Sequence, residues 1–130
     1  MDPKLKELSD CRLQKAKQNL EVVEVLIRDG YYNFAVNRSY YAAFDAMRAV
    51  NTLDCFDSSK HSGVIAHFNQ HYVKTGKFPA ETSMIIKKAS TLREKSDYED
   101  FFEASETDAV DTFMLVKQLL VEVEQFLLKI

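Results

Sequence analysis

The chain has 130 residues, of which 46% are hydrophobic and 28% are charged, a composition typical of a folded domain and not of a disordered chain. It contains only 3 glycines and 2 prolines, too few for the many turns of an all-β fold, so composition predicts an all-α protein. The formal net charge of −3 argues against a strongly basic nucleic-acid binder, and the scattered glycines form no phosphate-binding loop. We expect a single helical domain over residues 1–130.

The N-terminal half of the chain predicts two long helices. The first begins at Asp2-Pro3 and ends at Asp29-Gly30, with apolar residues at alternating steps of three and four: Leu13, Ala16, Leu20, Val23 and Ile27. The second runs from about Tyr31 to Leu53 and is apolar almost all round. We therefore expect it at the centre of the molecule.

Three further helices are predicted after the turn at residues 54–59. The third helix is capped by Ser58 or Ser59, and its inward side chains are Val64, Ile65, Phe68 and Tyr72. The fourth spans about Ala80 to Lys95, with Ile85, Ala89 and Leu92 inward, and a loop follows from Ser96 to Ala104. The last is capped by Ser105 or Thr107 and carries a 4-3 apolar repeat: Ala109, Phe113, Val116, Leu120, Val123, Leu127 and Ile130. Together these elements predict an up-and-down bundle of four main helices and one shorter helix.

The two cysteines and the hydropathy pattern bear on the location of the protein. Cys11 and Cys55 match no zinc or redox spacing, so we expect them to be small core or boundary residues. No segment resembles a signal peptide, and no apolar run approaches the length of a membrane span. The prediction is a cytoplasmic protein without a membrane partner.

Polar residues on the predicted central helix are the main candidates for function. Arg38, Tyr41, Asp45 and Arg48 are spaced so that they share one helix face. One interpretation is an ion pair between Asp45 and Arg48, with the stem of Arg38 covering apolar surface. The other is a cleft in which Arg38 holds a phosphate through two parallel hydrogen bonds. Both interpretations stay open on the residues alone.

Other candidates lie on the third and fourth helices. His61 begins the third helix and is a candidate second contributor to a phosphate site. His67 and His71 have the spacing of half a metal site, but no third ligand is evident, so we expect no metal and no cofactor. The cations Arg93 and Lys95 favour the C-terminal end of the fourth helix electrostatically; the functional alternative is that Arg93 and Tyr98 face the same cleft as Arg38.

Three segments together resemble a known family. They are Ala35–Ala46, Lys60–Lys77 and Leu92–Tyr98, and they are similar to the HEPN superfamily (higher eukaryotes and prokaryotes nucleotide-binding), in particular its small stand-alone prokaryotic branch. The resemblance implies a helical bundle that often forms a homodimer with a cleft at the interface. It also implies RNA or nucleotide as a partner, because many members are metal-independent ribonucleases. These include toxins paired with a minimal nucleotidyltransferase antitoxin.

The family motif is an arginine followed, after four to six residues, by a histidine on the same helix. Arg38 matches the arginine, but Asp45 stands at the histidine position. A carboxylate with a reference pKa of ~3.9 has almost no proton to give at neutral pH, whereas histidine exchanges protons there. The residue pattern and the resemblance together make Arg38, Tyr41, Arg48, Arg93 and Tyr98 the candidate phosphate contacts. The aromatic surface of the second helix and the family's habit of pairing predict a homodimer with Arg38 near the two-fold axis.

Three functions follow from this departure. The first is a nucleotide- or RNA-associated partner of a nucleotidyltransferase in a toxin-antitoxin-type pair, with ribonuclease catalysis weak or lost. The second is an active metal-independent ribonuclease toxin that uses Arg38 with Asp45 or His61. The third is a non-catalytic module for interaction or dimerisation, in which the polar helix face only sets the dimer register.

Overall fold

A computed structural model describes the chain from Met1 to Ile130 and contains helices and turns but no strand. The helices are α1 Pro3–Arg28, α2 Tyr32–Asn51, α3 His61–Phe68, α4 Glu81–Tyr98 and α5 Glu106–Leu128. A 3-10 turn, Thr52–Asp54, follows α2, and a π-helical turn, Asn69–Val73, continues α3. The predicted all-α bundle with one shorter helix is confirmed.

Helix α2 lies at the centre, as its composition predicts. Twelve of its 20 residues are buried, and it packs against all four other helices. Five of the buried residues are alanines, whose small side chains let neighbouring helices approach closely while the aromatic residues fill the remaining space. Because so much of α2 is covered, its polar side chains reach the surface only along a narrow strip.

The ends of α1 and α5 follow the predicted signals. The Asp2 side chain accepts a hydrogen bond from the Lys4 backbone N–H at 2.8 Å, and Pro3 occupies the first turn. Ser105 caps α5 in a reciprocal capping box with Asp108, at 3.0 and 3.1 Å. The apolar repeat of α5 is buried except at Ile130, which is 55% exposed because the helix ends at Leu128.

Two predicted boundaries around α3 and α4 are wrong. Neither serine caps α3: the residue before the helix is Lys60, and the Ser58 hydroxyl accepts the Lys60 N–H at 3.1 Å instead. Helix α4 continues past Lys95 to Tyr98, so the predicted loop starts too early. The added turn is supported by the Ser96 hydroxyl, which donates to the Asn33 carbonyl of α2 at 3.3 Å.

The end of α2 and the cysteines also differ from expectation. The α-helix stops at Asn51 and tightens into the 3-10 turn. Both Cys11 and Cys55 are exposed, so their assignment to the core or its boundary is wrong. Cys11 lies on the outward side of α1, and Cys55 adopts a left-handed backbone, φ 56°, in the turn that follows the 3-10 segment. No helix combines the length and the apolar character needed to cross a bilayer.

Candidate functional site

Arg38 is exposed on α2 and lies against α1. Its Nη1 donates to Asn19 Oδ1 at 3.2 Å, and its guanidinium carbon is 5.8 Å from the centroid of the Tyr41 ring. It makes no ion pair with a carboxylate, whereas the other four arginines of the chain do: Arg12, Arg28, Arg48 and Arg93. An exposed guanidinium with N–H groups free and no counter-ion is suited to binding a phosphate.

Asp45 is joined to Arg38 through a residue of α1. Asn19 Nδ2 donates to Asp45 Oδ2 at 3.0 Å, so one amide bridges the two motif positions. Burial raises the pKa of Asp45, although the positive charges of Arg48 and Lys15 and the amide hydrogen bond oppose the rise. Asp45 is therefore a half-buried carboxyl that holds its proton more tightly than an exposed aspartate does.

Arg48 is engaged by a residue of the loop before α3. Its Nε and Nη2 donate to the two carboxylate oxygens of Asp57 at 3.2 and 2.9 Å, and Arg12 of α1 donates to the same carboxylate at 3.1 Å. The hydrogen bonds to Asp57 raise the pKa of Arg48 and lower that of Asp57. The ion pair of Arg48 is thus made with Asp57 and not with Asp45, and the planar fork of its guanidinium is occupied.

His61 lies in an aromatic cluster between α2 and α4. Its Nδ1 is 3.0 Å from the Tyr40 hydroxyl, and its ring centroid is 4.3 Å from Phe44 and 6.0 Å from Tyr41. The guanidinium of Arg93 lies 4.6 Å from the centroid of Tyr40. Burial, and secondly the charge of Arg93, lower the pKa of His61, so the neutral imidazole predominates at pH 7.

Arg93 is held in this position by a carboxylate on its own helix. Its Nη1 donates to Asp97 Oδ2 at 3.3 Å, and Asn37 Nδ2 donates to the other oxygen of Asp97 at 3.1 Å. The structure therefore brings Arg93 to the His61 cluster. Tyr98 takes part in none of these contacts and is 76% exposed.

His67 and His71 belong to a separate cluster at the opposite end of α3. His67 Nε2 lies 2.9 Å from Asp54 Oδ2, and the Tyr72 hydroxyl donates to the same oxygen at 2.7 Å. The His67 ring stacks on Phe56 at 3.9 Å and lies 4.2 Å from the ring of His71. Burial opposes ionisation of Asp54, but the hydrogen bonds from His67 and Tyr72 outweigh it and lower its pKa. These side chains form no group of three metal ligands.

Three residues of the site are not singled out by the sequence pattern. Asn19 is one of many polar residues in the sequence of α1, Tyr40 resembles any buried aromatic residue, and Asp57 lies in a polar turn. Each forms a hydrogen bond with a residue distant in the chain. Asn19 is 26 positions from Asp45, Asp57 is 9 positions from Arg48, and Tyr40 is 21 positions from His61. The one available signal is the unusual density of tyrosines at positions 40 and 41.

The fold and the exposed face of α2 around Arg38 define a class of protein: a helical bundle whose central helix presents to solvent an arginine without a carboxylate partner. Comparison with known proteins identifies the family. A family model described as HEPN domain matches residues 10–126. The chain belongs to the HEPN family, and the resemblance stated from the sequence is confirmed.

Relatives in three alignments are consistent with this assignment. The chain is 30% identical over 109 residues to a Methanocaldococcus jannaschii protein named "Putative toxin MJ0142", covering 84% of this chain and 74% of that protein. It is 31% identical over 114 residues to a "UPF0332 protein" of Thermotoga maritima, covering 88% and 86%. A second M. jannaschii protein, "Putative toxin MJ0605", is 32% identical over 94 residues, covering 72% and 70%.

Proposed function

We propose that the chain is a toxin-like HEPN protein that binds RNA through a phosphate held by Arg38, and that its ribonuclease activity is weak at neutral pH. The observation that carries the proposal is the free guanidinium of Arg38, in a chain whose other arginines are all paired with carboxylates. The toxin names of two relatives support the biological context.

The proposal of weak catalysis rests on the chemistry at position 45. Metal-independent RNA cleavage needs a base for the 2′-hydroxyl and an acid for the leaving oxygen. Burial raises the pKa of Asp45 above that of an exposed aspartate, but the positive charges of Arg48 and Lys15 and the hydrogen bond from Asn19 oppose the rise, so we expect the carboxyl still to be mostly ionised at pH 7. An ionised carboxylate has no proton to donate and repels the phosphate that Arg38 attracts.

Two partners, a second copy of the chain and an antitoxin, are proposed from the exposed surface of α2 and from the family. Phe34, Arg38 and Tyr41 follow one another at helical spacing on the same face, and Phe34 is 62% exposed. An exposed aromatic beside the site is consistent with a homodimer that covers this face and places Arg38 near the two-fold axis. A nucleotidyltransferase antitoxin is the proposed second partner, by analogy with the toxin-antitoxin pairs of the family.

The central experiment compares two conservative substitutions. Arg38→Lys keeps the charge but loses the fork that binds phosphate, so we expect the affinity for a labelled single-stranded RNA to fall by about 3- to 10-fold. Arg28→Lys is the matched control, because Arg28 is exposed at the end of α1 and lies 3.9 Å from Asp29. Fluorescence anisotropy at fixed salt measures both. Equal losses would mean that Arg38 contributes only to a general positive field.

One observation favours the alternative of an active ribonuclease. Since burial raises the pKa of Asp45, the protonated form is more abundant than for an exposed aspartate and becomes more so as the pH falls. Cleavage by the native protein that increases between pH 7 and pH 5, and that needs both Arg38 and Asp45, would support this function over the binding role.

A further inference from the structure

The hydrogen bond between Tyr40 and His61 determines where the proton of the imidazole lies. The Tyr40 side chain is 1% exposed, and its hydroxyl has a single hydrogen-bond partner, His61 Nδ1 at 3.0 Å. Burial raises the pKa of Tyr40, so the phenol stays protonated at neutral pH. A buried O–H group donates to the acceptor within reach, which here is Nδ1. A neutral imidazole that accepts at Nδ1 carries its proton on Nε2.

We propose that Tyr40 is a positioning residue that holds His61 as a neutral imidazole protonated on Nε2, and that this N–H is a second donor to the RNA backbone beside Arg38. The inference deepens the proposed function and rests on it, since the ligand is the phosphate of the same RNA strand.

The position of His61 relative to Arg38 supports this role. The two side chains flank one aromatic ring, that of Tyr41: the guanidinium carbon of Arg38 is 5.8 Å from its centroid, and the imidazole centroid of His61 is 6.0 Å away. Nε2 of His61 takes part in no hydrogen bond or ion pair within the chain, whereas Nε2 of His67 is paired with Asp54. His61 is therefore the histidine with a free N–H on the same side of α2 as the uncompensated arginine.

The surroundings of His61 disfavour the imidazolium form. Helix α2 contributes Tyr40, Tyr41 and the apolar ring of Phe44, while α4 contributes the cation Arg93, which is paired with Asp97. No carboxylate forms a hydrogen bond or an ion pair with His61 itself. A neutral donor contributes the same binding energy throughout the pH range in which it stays neutral, from about pH 7 upward here, unlike a histidine that binds phosphate as a cation.

The binding experiment uses a pair of substitutions at position 61. His61→Ala removes the donor, and we expect about a tenfold loss of affinity for the labelled RNA, the value of one hydrogen bond to a charged group. His61→Gln supplies an amide N–H at a similar reach and should retain most of the affinity. The ratio of native to His61→Ala affinity should be the same at pH 7.0 and pH 8.5, where the imidazole is mainly neutral. Equal losses in the two variants, or a ratio that falls steeply as the pH rises, would overturn the inference.

A second measurement reads the proton directly and needs no RNA. In ¹⁵N-labelled native protein at pH 7.5, imidazole correlation spectra should show His61 with a bare Nδ1 and a protonated Nε2. Tyr40→Phe keeps the ring under Arg93 but deletes the hydroxyl, and should convert His61 to a mixture of tautomers. A protonated Nδ1 in the native protein would refute the role of Tyr40.

The two measurements separate this inference from the proposed function. If Arg38→Lys weakens RNA binding but His61→Ala does not, the proposed function stands and the second donor is rejected. If neither substitution affects binding while the spectra show the Nε2 tautomer, the RNA role of this face fails, and with it the role of His61 toward phosphate.

Discussion

Placing a histidine at position 45 should increase the rate of metal-independent RNA cleavage by the chain. Asp45 follows Arg38 by two helical turns, and Asn19 connects the two side chains through hydrogen bonds of 3.2 and 3.0 Å. Asp45→His places a group that exchanges protons at neutral pH at this position, at similar reach from the backbone. The change tests whether the identity of this one side chain limits the rate.

The size of the effect can be bounded from the two protonation equilibria. At pH 7 an aspartate with the ordinary pKa of 3.8 is protonated in about 0.06% of molecules, and an imidazole with a pKa of ~6.5 in about 24%. The protonated fraction is thus about 400 times larger for the imidazole than for the aspartate. Burial of Asp45 raises its pKa and so makes this ratio smaller. We therefore expect a gain of between about 10- and 400-fold, which reaches the lower part of the ~10²- to 10⁴-fold range of general acid–base catalysis.

The assay is single-turnover cleavage of a mixed-sequence RNA in EDTA. It compares the native chain, Asp45→His, and the double variant Arg38→Ala with Asp45→His, which should lose the gain because the phosphate is no longer held. Strong cleavage by the native chain at pH 7 that needs Arg38 would refute the reasoning, since it would show that the carboxyl suffices. The absence of cleavage by every variant would leave only the binding role.

Two further predictions concern assembly and stability. The native chain should be a homodimer at tens of micromolar, because Tyr31 and Phe34 are 56% and 62% exposed beside Arg38, and a monomeric mass by light scattering would contradict this. Asp45→Asn should raise the melting temperature at pH 7 by about 1–4 °C, measured by calorimetry. The raised pKa of Asp45 means that the folded state binds this proton more tightly than the unfolded chain. The ionised carboxylate therefore destabilises the folded state at pH values above its folded pKa. Near pH 3, where Asp45 is protonated, the native chain and Asp45→Asn should melt at the same temperature. An equal rise in melting temperature at pH 7 and pH 3 would show that the charge of Asp45 is not the cause.

Much of the bundle is readable from the sequence because helix formation and capping are local. The spacing of Leu13, Ala16, Leu20 and Val23 predicts the buried face of α1, and Ser105 is one of the two caps predicted for α5. The aromatic and alanine content of α2 likewise predicts its central position. Local signals predict a helix end less well where a contact with a neighbouring helix fixes it. The end of α4 is an example, because the Ser96 hydroxyl donates to a backbone carbonyl of α2.

The arrangement of the candidate site is decided by tertiary packing. Sequence spacing places Arg38, Asp45 and Arg48 on one helix face, but it does not say which residues of other elements meet them. Packing of α1 against α2 places Asn19 between Arg38 and Asp45. The loop before α3 places Asp57 within hydrogen-bond distance of Arg48. The physical reason is that the charge and protonation of a side chain depend on burial and on partners distant in the chain. Local periodicity determines which residues face outward, and only the packed bundle determines which of them remain unpaired.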